Sequence, residues 1–187
     1  METTNNKLPN YVNEYFNRLK LYLDGDKLLY YGSIQRSDYF HGESDIDVAI
    51  FCDNEQSTIN RLLNYIKRPK QKVKKIVWQL STTNKFVYGY KVSYTYIDNN
   101  NINKPFRIEF AIYNNKFQND ISSIHKRKFT LPWYISWYLC ILKFIFYRLQ
   151  ILSLDSYKYL KNYGLTKGIG MPTELFLVLD NNPGFYK

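Results

Sequence analysis

Apolar residues recur three or four positions apart in two polar stretches near the N-terminus. They mark one face of a helix from Pro9 to Leu23 and of a second helix from Glu55 to Lys67. The run Asp24-Gly25-Asp26 ends the first pattern, and Pro69 ends the second. We therefore expect two amphipathic helices, each with one buried face.

Shorter runs rich in Val, Ile, Tyr and Phe lie between and after these helices. They predict strands at residues 27–31, 45–51, 73–80, 85–97 and 105–113. The run Asp98-Asn99-Asn100-Asn101 favours a turn that joins the last two strands into a hairpin. Residues 34–44 are predicted as a short helix or a loop.

The last third of the chain carries mainly helical signals. Thr130 is the expected N-cap of a long helix that has Pro132 in its first turn and runs to about residue 152. A second helix is expected at residues 156–163, and a short third one from Pro172 to Leu179. Strands followed by helices indicate an α+β fold.

This order divides the chain into an α/β part, residues 1–120, and a helical subdomain, residues 121–187. Residues 131–154 are apolar enough to raise the question of a membrane span. Lys143 lies at the middle of this run, and a charge there favours a buried helix in a protein without a membrane partner. Residues 1–10 lack an apolar signal sequence, so we expect an intracellular protein, cytoplasmic or nuclear.

Composition points to a polyanionic partner. The 187 residues carry a net charge of +10, and two cysteines and two histidines lack the spacing of a zinc site. The basic residues cluster at Lys67, Arg68, Lys70, Lys72, Lys74 and Lys75, and again at His125, Lys126, Arg127 and Lys128. Nucleic acid is the expected partner, with a solvated surface as the alternative interpretation of each cluster.

Two carboxylates in one predicted strand carry the main chemical signal. Asp45 and Asp47 are two positions apart, so both point to one face while Ile46 and Val48 point to a core. Like charges side by side destabilise a strand, and a bound Mg²⁺ resolves this conflict when it also binds substrate phosphates. A tight turn at Gly32-Ser33 precedes them, and its small residue and backbone amides suit the approach of phosphates.

The pattern Tyr31-Gly32-Ser33, followed by Asp45-Ile46-Asp47-Val48, resembles the nucleotidyltransferase superfamily typified by DNA polymerase β. The resemblance implies a palm domain with a mixed or antiparallel sheet and flanking helices. It also implies a third carboxylate on a nearby strand, for which Glu109 is the candidate and Asp98 the fallback. Asp45, Asp47 and Glu109 would then hold two Mg²⁺ ions, or Mn²⁺, about 3.5–4 Å apart.

The same resemblance assigns the remaining site residues. Gly32 and Ser33 would bind the triphosphate of a nucleoside triphosphate, and Arg36 would contact it as well. Glu109 or Asp45 would take the proton of the attacking hydroxyl. Arg107 shares a strand face with Glu109, so it either supports the carboxylates or forms an ordinary cross-strand ion pair.

The C-terminal third loosely resembles the thumb of family X DNA polymerases, and thereby the small viral repair enzymes. Phe129-Thr130 and Tyr163-Gly164-Leu165 resemble thumb elements, and residues 173–176 and 184–186 resemble the family's ending. Leu131 stands where that family has a glycine, and Glu109 stands where it has an aspartate. The resemblance to viral enzymes implies that the protein acts inside the infected host cell.

These observations predict transfer of a nucleoside monophosphate from a nucleoside triphosphate to a hydroxyl, with release of pyrophosphate. DNA or RNA is the expected acceptor. Transfer to a protein or a small molecule is the second hypothesis. A catalytically inactive nucleic-acid-binding module is the third.

Overall fold

The chain folds around one sheet whose strands come from both ends of the sequence. The computed structural model describes residues 2–80, 84–97, 104–170 and 175–179. In these ranges the strands are β1 (Lys27–Tyr31), β2 (Ile46–Cys52), β3 (Lys74–Gln79), β4 (Phe86–Tyr96), β5 (Phe106–Asn114) and β6 (Leu175–Leu179). The helices are α1 (Asn10–Tyr22), α2 (Glu55–Ile66), α3 (Gln118–Arg127), α4 (Trp133–Phe144) and α5 (Leu154–Ile169).

The sheet is mixed, with the strand order β1-β2-β5-β4-β3-β6. Strands β2 and β5 are parallel, and the other neighbouring pairs are antiparallel. The predicted hairpin of residues 85–113 is present as the antiparallel pair β4 and β5. A mixed sheet with flanking helices is the predicted α+β palm, and that prediction is confirmed.

Alternation along the central strands gives the sheet two different faces. On the helix-covered face, Ile46, Val48 and Ile50 pack with the apolar stripes of α1 and α2. On the opposite side, which we call the site face, Ala49 and Phe51 pack with α3. Asp47 belongs to this second set because it alternates with the buried residues of the first.

The prediction of one long helix from Thr130 to about residue 152 is wrong at both ends. Helix α4 begins at Trp133 with Pro132 in the N-cap position, and Thr130 lies outside it. After Phe144 the backbone widens into a single π-helical turn, and Gln150 then adopts a left-handed conformation with φ of 54°. Ser153 caps a new helix, α5, by accepting a hydrogen bond from the Ser156 amide.

The predicted short helix at the C-terminus is also wrong where the structure describes it. Residues 175–179 form β6, which pairs antiparallel with β3 and places Phe176 opposite Trp78. The two rings are 6.0 Å apart, edge to face. An apolar run of five residues is compatible with a helix or a strand, and pairing with a distant strand decides between them. Residues 172–174 lie outside the described part of the chain.

The apolar stretch of residues 131–154 does not form one continuous helix. In the part of the chain that the structure describes, no helix is long and apolar enough to span a membrane. Cys52 is buried, Cys140 is half-buried, and both are free thiols.

His125 of α3 gives the fold a testable dependence on pH. Its ring stacks on Tyr31 with centroids 4.0 Å apart, and its Nε2 has no hydrogen-bond partner among the described residues. Burial and, to a lesser extent, Lys128 lower the pKa of His125 to about 3. The unfolded chain binds a proton near pH 6.5 that the folded chain rejects, so stability is lost as the pH falls below 6.5.

We expect the free energy of unfolding of the wild-type protein to fall by about 2 kcal/mol more than that of His125→Phe between pH 7 and pH 5. The phenyl ring keeps the stacking and cannot titrate. Urea denaturation at both pH values measures this difference. An equal pH dependence of the two proteins would contradict the assigned protonation of His125.

Candidate active site

The parallel pairing of β2 and β5 brings two of the predicted acidic residues together. Asp47 of β2 lies directly opposite Glu109 of β5, and both side chains belong to the site face. Asp45 lies just before the first residue of β2, two positions from Asp47. Three carboxylates contributed by two segments far apart in the sequence therefore share one end of the sheet.

Gly32 makes room for one of these carboxylates. It begins a short 3-10 turn, Gly32–Gln35, directly after β1, and its φ of 72° is in the left-handed region. A Cβ atom at this position would collide with Oδ2 of Asp47. Glycine is therefore required both by the backbone conformation and by the close approach of the Asp47 side chain.

The acidic cluster carries an electrostatic cost that the protein only partly offsets. Burial, followed by the charge of Glu109, raises the pKa of Asp47 to about 7, although Lys161 of α5 opposes the rise. The pKa of Asp45 is also raised, by burial and then by Glu109, against the effects of Arg107, Lys161 and Lys91. The Asp45 Oδ1 atom is buried and has no hydrogen-bond partner among the described residues.

Glu109 already has a cationic partner. Its Oε1 lies 2.6 Å from Nζ of Lys91, which projects from β4 on the same face. Within the described ranges, no three Asp, Glu, His or Cys side chains are grouped so that they could hold a metal ion. In this arrangement Glu109 is engaged by the Lys91 ammonium.

The donor set nevertheless suits a hard divalent cation. Carboxylate oxygens are the ligands that Mg²⁺ prefers, and Asp45 offers an oxygen without a partner. Burial and then the charge of Glu109 raise the pKa of Asp47, and a cation bound there would favour its ionised form. Asp45 and Asp47 therefore fit a cation, and Glu109 can join them if it releases Lys91.

Arg36, the predicted triphosphate contact, is engaged in a buried ion pair. Its Nε and Nη2 atoms donate to the two carboxylate oxygens of Asp38, at 2.7 and 3.0 Å. Both residues are buried. A contact between Arg36 and a triphosphate stays a prediction, and it requires the guanidinium to leave Asp38.

Lys143 of α4 completes this buried network, and its partners in the network were not predicted from the sequence. Its ammonium lies 3.0 Å from Oδ2 of Asp38, and it donates hydrogen bonds to the Asp38 carbonyl at 2.6 Å and to Oγ of Ser44 at 3.2 Å. The side chain is only 3% exposed. A lysine among the buried positions of an apolar helix was the available signal, since such a charge needs a partner.

The pKa values of this network follow from its geometry. Burial lowers the pKa of Lys143 to about 8, although Asp38 opposes the shift. Burial would raise the pKa of Asp38, but hydrogen bonds and charge from Arg36 and Lys143 outweigh it and lower the pKa. Because Ser44 directly precedes Asp45, the network fixes the loop that leads into the first carboxylate.

The N-terminal segment holds the turn at Gly32-Ser33 from the other side. Asn6 donates from Nδ2 to the carbonyl oxygens of Ile34 and Arg36, at 2.8 and 2.7 Å. Asn5 donates in the same way to the carbonyl of Gln35. Ser33 itself is buried, and its carbonyl accepts from the Arg36 amide at 2.9 Å. These tethers were not apparent from the sequence.

Two cavities of different character flank Glu109. The aromatic cavity, of 380 Å³, is lined by Tyr31, Trp78, Tyr113, His125 and Phe176, with Lys91 and Glu109 at one side. The basic groove, of 280 Å³, is lined by Arg68, Lys72 and Arg107 together with Asp45 and Glu109. Arg107, predicted to support the carboxylates, is exposed and forms part of the groove wall.

The buried lysine generates a stability prediction. Replacing Lys143 with Met keeps the apolar stem and removes the ammonium that bonds Asp38 and Ser44. We expect a loss of about 3 kcal/mol in the free energy of unfolding, because a buried ion-pair network loses one partner. Urea denaturation measures it, with Lys158→Met on the exposed surface of α5 as the matched control, expected within about 0.5 kcal/mol of wild type. Equal stability of the two variants would contradict the structural role of Lys143.

Comparison with known protein families finds a match within the first part of the chain. Residues 11–100 match the family described as the nucleotidyltransferase domain. This match includes Gly32, Ser33, Asp45 and Asp47 and ends before Glu109. No curated protein is significantly similar to the chain in sequence.

Solved structures show the same fold at low sequence identity. The Cid1 poly(U) polymerase bound to MgGTP is 16% identical with a TM-score of 0.50, over 80% of this chain and 46% of that one. A variant of Cid1 bound to MgATP is 15% identical with a TM-score of 0.46, over 80% and 46%. The chain thus spans just under half the length of these polymerases.

The family match and the shared fold agree with the motif-based expectation, which is confirmed at the level of the superfamily. The likeness to Cid1 shows the fold, and the family match spans the Gly-Ser turn and the aspartate pair. Residues 11–100 therefore match the nucleotidyltransferase domain family, and 80% of the chain shares the fold of the Cid1 poly(U) polymerase.

Proposed function

We propose that this protein transfers a nucleoside monophosphate from a nucleoside triphosphate to an acceptor hydroxyl, with release of pyrophosphate. The observation that carries the proposal is the position of Asp45 and Asp47 beside Glu109, on one sheet face and next to the Gly32 turn. Clustered acids cost stability, and a scaffold without a cation-dependent activity gains nothing from them. The presence of the cluster therefore disfavours the inactive binding module.

Each residue of the cluster has a proposed role. Asp45, Asp47 and Glu109 would hold Mg²⁺ ions, which supply charge neutralisation at the triphosphate and a lowered pKa of the acceptor hydroxyl. The hydroxyl oxygen attacks the α-phosphorus, the bond to the bridging oxygen of the β-phosphate breaks, and pyrophosphate leaves. Glu109 accepts the hydroxyl proton after it releases Lys91, with Asp45 as the alternative base. Catalysis of this kind rests mainly on positioning and electrostatic stabilisation.

The turn and the aromatic cavity provide a place for the nucleotide. The backbone amides after Gly32 are proposed to bind phosphate oxygens, as amides in tight turns do. The stacked rings of Tyr31 and His125 form an apolar wall next to Glu109, which suits a nucleobase. Lys91 lines the same cavity and would face the phosphates once it is free of Glu109.

Nucleic acid is the acceptor class that we propose. The net charge of +10 and the cations of the basic groove beside Asp45 favour a polyanion. Either DNA or RNA satisfies this argument, so a family X DNA polymerase activity is one form of the proposal. The low identity to Cid1 gives no ground for assuming its substrates.

We expect Asp47→Asn to lower nucleotide transfer at least about 100-fold without lowering stability, because it removes one of three like charges as well as a cation ligand. Transfer is measured as α-phosphate label and released pyrophosphate with Mg²⁺ or Mn²⁺. Gapped DNA, single-stranded RNA and no added acceptor are compared. Asp155→Asn on the surface of α5 serves as the control.

Wild-type protein that transfers nothing to either nucleic acid, but labels a protein, would select the second hypothesis. Activity retained in Asp47→Asn would contradict the assigned cluster. The stability readout, taken in metal-free buffer, separates loss of chemistry from loss of folding.

Gly32 and Gly25 offer a matched pair of substitutions. Both glycines have a positive φ, 72° and 84°, but a Cβ at Gly32 meets Asp47 whereas a Cβ at Gly25 meets nothing within 4 Å. We expect Gly25→Ala to lose about 1 kcal/mol from backbone strain, and Gly32→Ala to lose more because its Cβ also meets Asp47. Only Gly32→Ala should lower transfer, by about 100-fold, because it displaces the Asp47 carboxylate. Equal activities would show that the Gly32–Asp47 contact does not matter for the reaction.

A further inference from the structure

The basic groove arises from a mismatch in strand length. Strand β3 begins at Lys74, opposite Lys91, whereas β4 continues to Tyr96. The connection between α2 and β3 therefore lies beside the free end of β4, and it carries Arg68 and Lys72 into the groove. Two cations from this connection face a third, Arg107, which comes from β5.

These three cations are available to a ligand. None of them forms a salt bridge with a described residue, whereas Glu109, one of the two acids in the groove, is paired with Lys91. Arg68 and Lys72 are exposed, and the guanidinium of Arg68 lies over the ring of Tyr94, 5.7 Å from its centroid. Stacking on a ring restrains the guanidinium and leaves its N–H groups free to donate.

The groove also has hydroxyl donors and a defined position relative to the acids. Ser93 and Thr95 lie opposite Glu109 and Arg107 in the β4–β5 pair and line its floor. The aromatic cavity lies on the other side of Glu109. A chain of phosphates bound in the groove would thus reach the carboxylates from the side opposite to the aromatic cavity, where the nucleotide is proposed to bind.

We propose that the groove of Arg68, Lys72 and Arg107 binds the last phosphodiesters of a single nucleic-acid strand and points its 3′-hydroxyl at Asp45 and Glu109. This inference rests on the proposed function, because it identifies the acceptor site of the same reaction. Three cations with donor hydroxyls match a phosphodiester backbone, and they read no base sequence. Binding is therefore sequence-tolerant and sensitive to salt.

The test compares two double variants that each remove two positive charges from one segment. Arg68→Gln/Lys72→Gln changes the groove, and Lys67→Gln/Lys70→Gln changes neighbours that do not line it. Affinity for a fluorescent single-stranded oligonucleotide of about 12 nucleotides, as DNA and as RNA, is measured without nucleotide or metal over a range of salt. Kinetics with Mg²⁺ then give KM for acceptor and for nucleoside triphosphate separately.

We expect the groove variant to bind at least about tenfold more weakly and to lower the slope of log K against log salt by about 1.4, which corresponds to two phosphate contacts on a single strand. The control variant, Lys67→Gln/Lys70→Gln, should weaken binding by no more than about threefold, through the loss of positive charge from the protein's overall electrostatic field. The acceptor KM should rise in the groove variant, with kcat at saturation and the KM for nucleoside triphosphate unchanged.

Equal affinities of the two double variants would overturn the groove assignment. A rise in the KM for nucleoside triphosphate with unchanged acceptor binding would overturn it too, because the groove would then hold the triphosphate. Mg²⁺-dependent transfer to a non-nucleic acceptor would remove the groove proposal and leave the transferase. Weakened oligonucleotide binding in a protein that transfers no nucleotide would retain the groove and remove the proposed reaction.

Discussion

Three carboxylates at one end of the sheet, close enough to raise each other's pKa, are the constraint around which this structure is arranged. The parallel register of β2 and β5 fixes Asp47 opposite Glu109, and the residue before β2 adds Asp45. Like charges at this spacing repel, so the site needs positive charge from elsewhere. Three elements supply it: β4 through Lys91, β5 through Arg107 and α5 through Lys161. The sheet positions the carboxylates, and the basic residues of the surrounding elements offset the repulsion between them.

The C-terminal part of the chain contacts both the sheet and the loop before Asp45. Lys143 of α4 bonds Asp38 and Ser44, and β6 extends the sheet beyond β3. A buried lysine is costly unless its partners are in place, so the loop before Asp45 and the helix α4 stabilise each other's positions. Asn5 and Asn6 hold the neighbouring turn from the N-terminal side. Segments from both ends of the chain thus converge on the short region between Gly32 and Asp45.

Local patterns predicted the centre of the fold well. Consecutive residues were enough to predict the Gly32 turn, the Asp45–Asp47 spacing and the hairpin that carries Glu109. Strand alternation fixes which of these side chains share a face. The failures concern contacts between distant segments. The strand β6 forms because β3 offers a free edge. Lys143 is buried because it bonds Asp38, which lies more than a hundred positions away in the sequence. Neither partner is visible in the local sequence, and nothing local identified Lys91 as the partner of Glu109.

The pairing of Glu109 with Lys91 gives the site two ways to balance its charge. In the proposed reaction Glu109 would bind a cation, and beside Asp45 and Asp47 it favours another cationic partner at other times. Lys91 meets this need from a neighbouring strand, without a change in the backbone. The same ammonium lines the aromatic cavity, where polyphosphate would bring negative charge. In the proposed reaction, exchange of Lys91 from Glu109 to a phosphate would keep every charge compensated, so substrate binding and the release of Glu109 would be coupled electrostatically.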